Sequence, residues 1–315
     1  MEDLKIVFMG TPDFAVASLK AMVEKEYHVV GVITAPDRPA GRGQQLKQSA
    51  VKEYALSQGL FIMQPTNLKD KNFVTQLASL KANVQVVVAF RMLPEIVWKM
   101  PAFGTFNLHA SLLPSYRGAA PINWAIINGE EMTGVTTFFI DDKIDTGAII
   151  DQKKNAIRKN DNAGTLHDKL MELGASLVLE TLQKIKSKSV STTIQPKATG
   201  FKTAYKLTKE NTRINWKAPG STIYDFVRGL SPYPTAWTLL KNNDKEFSVK
   251  IFDIEFIEEK HDVIVGKIKV EDKIIKVAVK DGFVIINKLQ LPGKKMMTAK
   301  ALLNGYQFDF AAELC

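Results

Sequence analysis

The side chains best suited to chemistry lie in residues 104–147. Residues 104–111 read Gly-Thr-Phe-Asn-Leu-His-Ala-Ser. In an extended strand, Asn107 and His109 lie two residues apart and point to the same face. An asparagine amide donates hydrogen bonds without ionising, and a histidine donates from either ring nitrogen that carries hydrogen. Side by side they suit stabilisation of oxygen charge in a tetrahedral acyl-transfer intermediate. The same two residues could instead satisfy a turn and fill a core. Residues 111–118, Ser-Leu-Leu-Pro-Ser-Tyr-Arg-Gly, follow. Pro114 blocks a helix and Gly118 permits a tight bend, which predicts a shaped loop. Asp145 precedes Thr146-Gly147 between two apolar stretches. It could orient His109, or it could simply close an Asx-turn. Asp141 and Asp142 read as solvated turn residues.

These residues need a scaffold, and the pattern around them supplies one. Short apolar runs at 5–9, 28–34, 60–63 and 84–89 alternate with helical spacing at 14–26, 50–58 and 73–80. Strand alternating with helix predicts a parallel sheet covered by helices. Further strands are expected at 134–140 and 148–152, and a long amphipathic helix at 163–186. Strand ends at the carboxyl edge of such a sheet are where α/β proteins place their sites. Residues 187–206 are rich in Ser, Thr, Lys and Gly with no sustained period, which reads as a linker. After a short helix at 221–228, strands dominate at 246–257, 262–270, 273–279 and 283–291, with Asp281-Gly282 as a hairpin signal. Short strands joined by tight turns suggest a small closed barrel.

The chain has 315 residues, a length that suggests two domains. Hydrophobic residues are 45% and charged residues 24%, which excludes disorder or a disulfide scaffold as a description of the whole. The single cysteine, Cys315, can form neither an internal disulfide nor a cysteine-rich metal site. No apolar run reaches the ~18 residues of a spanning helix. The start, Met1-Glu2-Asp3, is acidic where an export signal would be basic. The cytoplasm is therefore expected. Net charge is +9, and residues 191–315 carry 20 basic against 14 acidic side chains, two thirds of that excess. A basic barrel can face nucleic acid or can merely be solvated. The turn Gly10-Thr11-Pro12 lacks the G-x-G-x-x-G of a dinucleotide site.

Asn107-x-His109, then Ser111-Leu112-Leu113-Pro114-x-x-Arg117-Gly118, then Asp145-Thr146-Gly147 resembles the folate-dependent formyltransferase family. The resemblance implies an α/β fold: a Rossmann-like parallel-sheet catalytic domain at 1–189, a linker at 190–206, and a smaller OB-like β-barrel domain at 207–315. It implies an Asn107–His109–Asp145 catalytic set and 10-formyltetrahydrofolate as formyl donor, held by Ser111, Leu112, Leu113, Pro114, Phe90 and Leu93. In the family an aromatic-Gly-x-Ile-Leu-Pro stretch lines the pterin pocket. Here residues 89–94 read Ala-Phe-Arg-Met-Leu-Pro, one residue shorter and with Arg91 in place of the glycine.

Three features resemble the branch whose acceptor is methionine esterified to initiator tRNA. They are residues 8–15 (Phe-Met-Gly-Thr-Pro-Asp-Phe-Ala), the inserted loop Pro36-Asp37-Arg38-Pro39-Ala40-Gly41-Arg42-Gly43, and the barrel markers Ile214-Asn215-Trp216, Ser231-Pro232-Tyr233-Pro234 and Pro292-Gly293-Lys294-Lys295. By resemblance the tRNA contacts are Arg38, Arg42 and Lys47 on the basic loop 36–49, with Lys294 and Lys295 on the barrel. No metal and no covalent enzyme intermediate is expected, and a monomer is expected. Two alternatives stand beside this reading. One is a formyltransferase for a small amine such as a glycinamide ribonucleotide or an amino sugar. The other is a non-catalytic tRNA-binding protein.

Overall fold

The computed structural model describes residues 3–40, 45–196 and 200–315. Its compact units are Met1–Gly118 with Thr133–Ala156 and His167–Thr203, and Ala119–Met132 with Ile157–Leu166 and Ala204–Cys315.

In the first unit a seven-stranded sheet runs, edge to edge, Ile149–Ala156, Met132–Phe139, Thr105–His109, Val84–Val88, Lys5–Gly10, His28–Ile33 and Ile62–Met63. From Thr105–His109 to Ile62–Met63 every pairing is parallel, whereas Met132–Phe139 runs antiparallel to Thr105–His109. The parallel-rich Rossmann-like sheet expected from the alternation is what forms. Val84–Val88 is buried on both faces, as a central parallel strand must be. Its one polar residue, Gln85, accepts a hydrogen bond from Thr105 Oγ1 at 3.0 Å. Two helices of this unit begin at a capping side chain. Asp70 accepts from the Phe73 N–H ahead of Lys71–Ser79, and Ser49 accepts from the Lys52 N–H ahead of Ala50–Ser57. One apolar core gathers Val7, Met9, Ile33, Phe73, Leu77 and Val87. The helix Ala163–Lys186 has the expected bounds, and its Leu170, Leu177, Val178 and Leu182 are buried.

The second unit is an antiparallel sheet ordered Ile268–Glu271, Ile274–Val279, Gly282–Gln290, Lys245–Glu258, Ala236–Asn242 and Glu313–Leu314. Its edges meet. The Leu314 N–H donates to Gly266 O at 2.8 Å, and the Ile268 N–H donates to Ala312 O at 3.1 Å. The curled sheet is thereby closed without a free edge on that side. Helix Gly220–Leu230 contributes Ile223, Val227 and Leu230 to a core with Val249, Ile251, Val277 and Val284. Trp216 is buried beside them, and its Nε1–H donates to Thr238 Oγ1 at 2.9 Å.

Several elements differ from expectation. The strand Ala236–Asn242 lies just after two prolines, and they hide it from pattern reading. It turns through Asn243, whose φ of 53° asparagine tolerates. The strand expected at 262–270 is only Ile268–Glu271. Ahead of it, the His261 ring takes backbone hydrogen bonds instead: Nδ1 accepts from the Val263 N–H, and Nε2 lies 2.9 Å from Val279 O and Gly282 O. The basic loop 36–49 contains two short antiparallel strands, Arg38–Ala40 and Gln45–Lys47. Its root is fixed because Asp37 accepts from Lys52 Nζ at 2.5 Å and Gln64 Nε2 at 2.8 Å. Among the described residues no helix is long and apolar enough to cross a membrane.

Candidate active site

The strand Thr105–His109 ends at the carboxyl edge of the parallel ladder, next to Val84–Val88. Alternation turns Phe106 and Leu108 into the core and leaves Asn107 and His109 on the other face. The Asn107 amide is half-buried, and among the described residues no hydrogen bond occupies it. It is a free donor and acceptor beside the histidine.

His109 is buried, and both ring nitrogens look at oxygen. Nε2 lies 2.8 Å from Tyr116 O, and Nδ1 lies 3.7 Å from Asp145 Oδ2. A carbonyl only accepts, so Nε2 is the donor in the first contact. The same Asp145 oxygen accepts from the Gly118 N–H at 2.9 Å. The structure therefore brings Asp145 to His109, as the sequence reading expected, across 36 residues of chain. Tyr116 and Asp145, which face the two nitrogens, both have left-handed backbone, with φ of 62° and 55°. Non-glycine residues there cost of the order of 1 kcal/mol and persist only where surrounding structure holds them.

That structure is visible. Gly147 permits the turn after Asp145, because a Cβ on it would stand 1.7 Å from Phe139 O. Gln195 holds the turn from the far side. Its Nε2 donates to Asp145 O at 3.0 Å and Gly147 O at 2.8 Å. Its Oε1 accepts from Arg117 Nε at 3.1 Å and Nη2 at 2.5 Å. Gln195 lies in the segment read as a linker, where composition offers no hint of it.

The loop 111–118 is equally pinned. Ser111 is fully buried and its Oγ donates to Ser115 O. Thr136 Oγ1 donates to Ser111 O at 2.6 Å and accepts from the Leu113 N–H and from Gln152 Nε2. Gln152 also donates to Leu113 O. Thr136 and Gln152 went unremarked in the sequence, since neither stands in a motif. Leu113 is buried, and Leu112 and Pro114 are half-buried.

Residues 89–94 leave the neighbouring strand at the same edge. Phe90 is half-buried, Leu93 is buried and Met92 is exposed. Arg91 spans to the next loop. Its Nη1 donates to Thr66 O at 3.0 Å, Nη2 donates to Pro65 O, and the guanidinium lies 5.5 Å from the Phe90 ring centre. Burial, and then the charge of Arg38, hold this guanidinium below the ordinary arginine range. Arg38 stands directly opposite Lys47 in the two-stranded hairpin. Arg42 lies outside the described residues. Lys294 and Lys295 are exposed on the barrel, on a bend where the Lys294 N–H donates to Leu291 O.

Two family models match the chain: formyl transferase over residues 4–182, and formyl transferase, C-terminal domain, over residues 206–307. The chain belongs to the formyl transferase family. Within it, relatives that match over nearly the full length include methionyl-tRNA formyltransferases. That of Flavobacterium johnsoniae is 58% identical over all of both chains. That of Bacteroides thetaiotaomicron is 54% identical over 98% of this chain and 97% of its own. Among solved structures, the fold is similar to that of an N-formyltransferase from Helicobacter canadensis, crystallised with folinic acid and dTDP-3-aminofucose. The TM-score is 0.63, at 22% identity over 90% of this chain and 98% of that one.

Proposed function

We propose that this enzyme transfers the formyl group of 10-formyltetrahydrofolate to the α-amino group of methionine on initiator methionyl-tRNA, with Asn107, His109 and Asp145 as its catalytic residues. The observation that carries this is the free Asn107 amide beside a histidine that faces Asp145, in a chain that matches methionyl-tRNA formyltransferases from end to end. A donor pair with a carboxylate behind it fits an acyl carbon that gains oxygen charge. Phe90 and Met92 at the adjacent strand end offer an apolar surface suited to a flat ring, and Phe90 rests on the core that holds Leu93. Bound there, the folate supplies the formyl carbon.

Asn107 donates to the formyl oxygen as the amine adds and charge develops on it. One such donor is worth about 3–4 kcal/mol. His109 joins it by exchanging the Tyr116 carbonyl for that oxygen, and Asp145 closes on Nδ1 as the ring shifts. Catalytic hydrogen bonds of this kind are commonly long before substrate arrives. The acceptor amine has an ordinary pKa of ~7.7–8.0, so a useful fraction is neutral near pH 7. His109 and Asp145 then relay its proton towards the leaving nitrogen.

The paired strands Arg38–Ala40 and Gln45–Lys47 support an RNA acceptor. Arg38 directly faces Lys47, and like charges paired this way cost a few tenths of a kcal/mol or more. An RNA phosphate removes that cost. Ser111, Leu112, Leu113 and Pro114 shape the folate side. Arg38, Arg42, Lys47, Lys294 and Lys295 contact tRNA. The same reading carries a cytoplasmic, monomeric enzyme that works without a metal. The test is incubation with 10-formyltetrahydrofolate and either initiator or elongator methionyl-tRNA. Formylmethionyl-tRNA should form with the initiator and far less with the elongator. Absence of product from charged initiator tRNA would sink the reading, and product from glycinamide ribonucleotide or an amino sugar would replace it.

A further inference from the structure

We infer that Gln195 is a positioning residue, whose single amide sets the place of Asp145 against His109. This rests on the catalytic reading of Asp145. Two backbone segments face the histidine. Residues 116–118 supply the carbonyl opposite Nε2 and the N–H that holds the Asp145 carboxylate. Residues 145–147 supply the carboxylate itself and the glycine turn behind it. Gln195 is bonded to both. Its acceptor oxygen takes two donors from Arg117 in the first segment, and its donor nitrogen serves the Asp145 and Gly147 carbonyls in the second. Every hydrogen-bonding group of the amide is spent on the two walls of the histidine site.

The local burial pattern sets this residue apart from ordinary packing. Ile194 is 86% exposed while Gln195 is only 7% exposed. Hydrophobic burial alone would turn the isoleucine in and the amide out. The segment instead gives up the isoleucine to deliver the amide, and the Ile149–Thr193 bridge beside it fixes the register of delivery. The reward is a left-handed Asp145 whose carbonyl is held from one side and whose carboxylate is held from the other.

Three variants test this: Gln195→Ala, Gln195→Glu and Asp145→Asn, each with thermal denaturation and with kcat and KM for both substrates. Gln195→Glu is nearly isosteric and keeps the Arg117 pairing, but has no donor for the two carbonyls. A misplacement near 1 Å in such a site costs about 10²-fold. Gln195→Ala should lower kcat about 100-fold and Gln195→Glu at least 10-fold, with KM for methionyl-tRNA and for folate changed less than threefold. The decisive measurement is the double variant. If Gln195 acts through Asp145, adding Gln195→Ala to Asp145→Asn should lower kcat less than threefold further. A purely structural role would multiply the two losses, and that result overturns the inference. So does a Gln195→Glu enzyme that turns over at the wild-type rate while Asp145→Asn is crippled, with the catalytic reading left standing. An Asp145→Asn enzyme of full activity overturns both.

Discussion

Replacing Gly147 by alanine tests the turn behind Asp145 without touching any proposed catalytic group. The added carbon would stand 1.7 Å from Phe139 O and 2.9 Å from Phe139 C. A relaxed carbon–oxygen contact needs about 3.3 Å, so one side must yield by about 1.6 Å. Phe139 cannot do so easily. It is paired with Phe106 in the sheet, and its own N–H donates to Ala148 O at 3.0 Å. The turn 145–147 moves instead, and Asp145 moves with it. A shift above 1 Å in a catalytic group costs about 10²-fold, or about 2.7 kcal/mol of barrier. Overpacking itself costs about 1–3 kcal/mol of stability, which leaves a folded protein with a lower Tm. The assay is kcat at saturation in both substrates, read beside thermal denaturation. Gly305→Ala is the control, since nothing lies within 4 Å of the carbon added there. A Gly147→Ala enzyme within threefold of wild-type kcat would show that the place of this turn does not govern turnover.

Asn107→Ala should lower kcat by about 10²–10³ and leave KM for methionyl-tRNA nearly unchanged, because the lost donor acts mainly on the transition state. Comparable loss of tRNA affinity, measured by filter binding, would argue for a binding role instead. The Lys294→Ala/Lys295→Ala pair should weaken tRNA binding and reduce the slope of log K against log salt by about 0.7–0.9 per lost phosphate contact. An unchanged slope removes these lysines from the interface. Hydrogen bonds from Lys52 and then Gln64 hold the Asp37 carboxyl below its ordinary range. A depressed carboxylate contributes its stability above the unfolded pKa near ~3.9 and loses it as pH falls through the lower folded value. Asp37→Asn should therefore be less stable than wild type in urea at pH 7, with the gap closing below about pH 4. A gap that stays constant with pH would contradict the pairing.

The parallel sheet was legible because its strands are short apolar runs at regular spacing, and the helix 163–186 because its leucines recur with helical period. Asn107 and His109 were legible because a period of two fixes their common face in any strand. Their link to Asp145 was only suggested by a carboxylate before a Thr-Gly turn. The groups that hold the pair, Tyr116 O against His109 Nε2 and the Gly118 N–H on the Asp145 carboxylate, are backbone groups that carry no sequence signal. Arg91 illustrates the same limit. Its type was plain as a departure from the family pattern, but its attachment to the Pro65 and Thr66 carbonyls depends on how two loops end at one sheet edge.

The sequence by itself determined the period of each element, the common face of Asn107 and His109 and the uneven distribution of charge, since each depends on residues near one another in the chain. Tertiary structure alone decided that Gln195, 50 residues beyond Asp145, binds the Asp145 turn, and that Thr136 and Gln152 pin the loop at 111–113. Hydrophobic pattern reports which face of an element is buried. It does not report which backbone carbonyl a buried amide will meet, because that partner is chosen by the packing of segments distant in sequence.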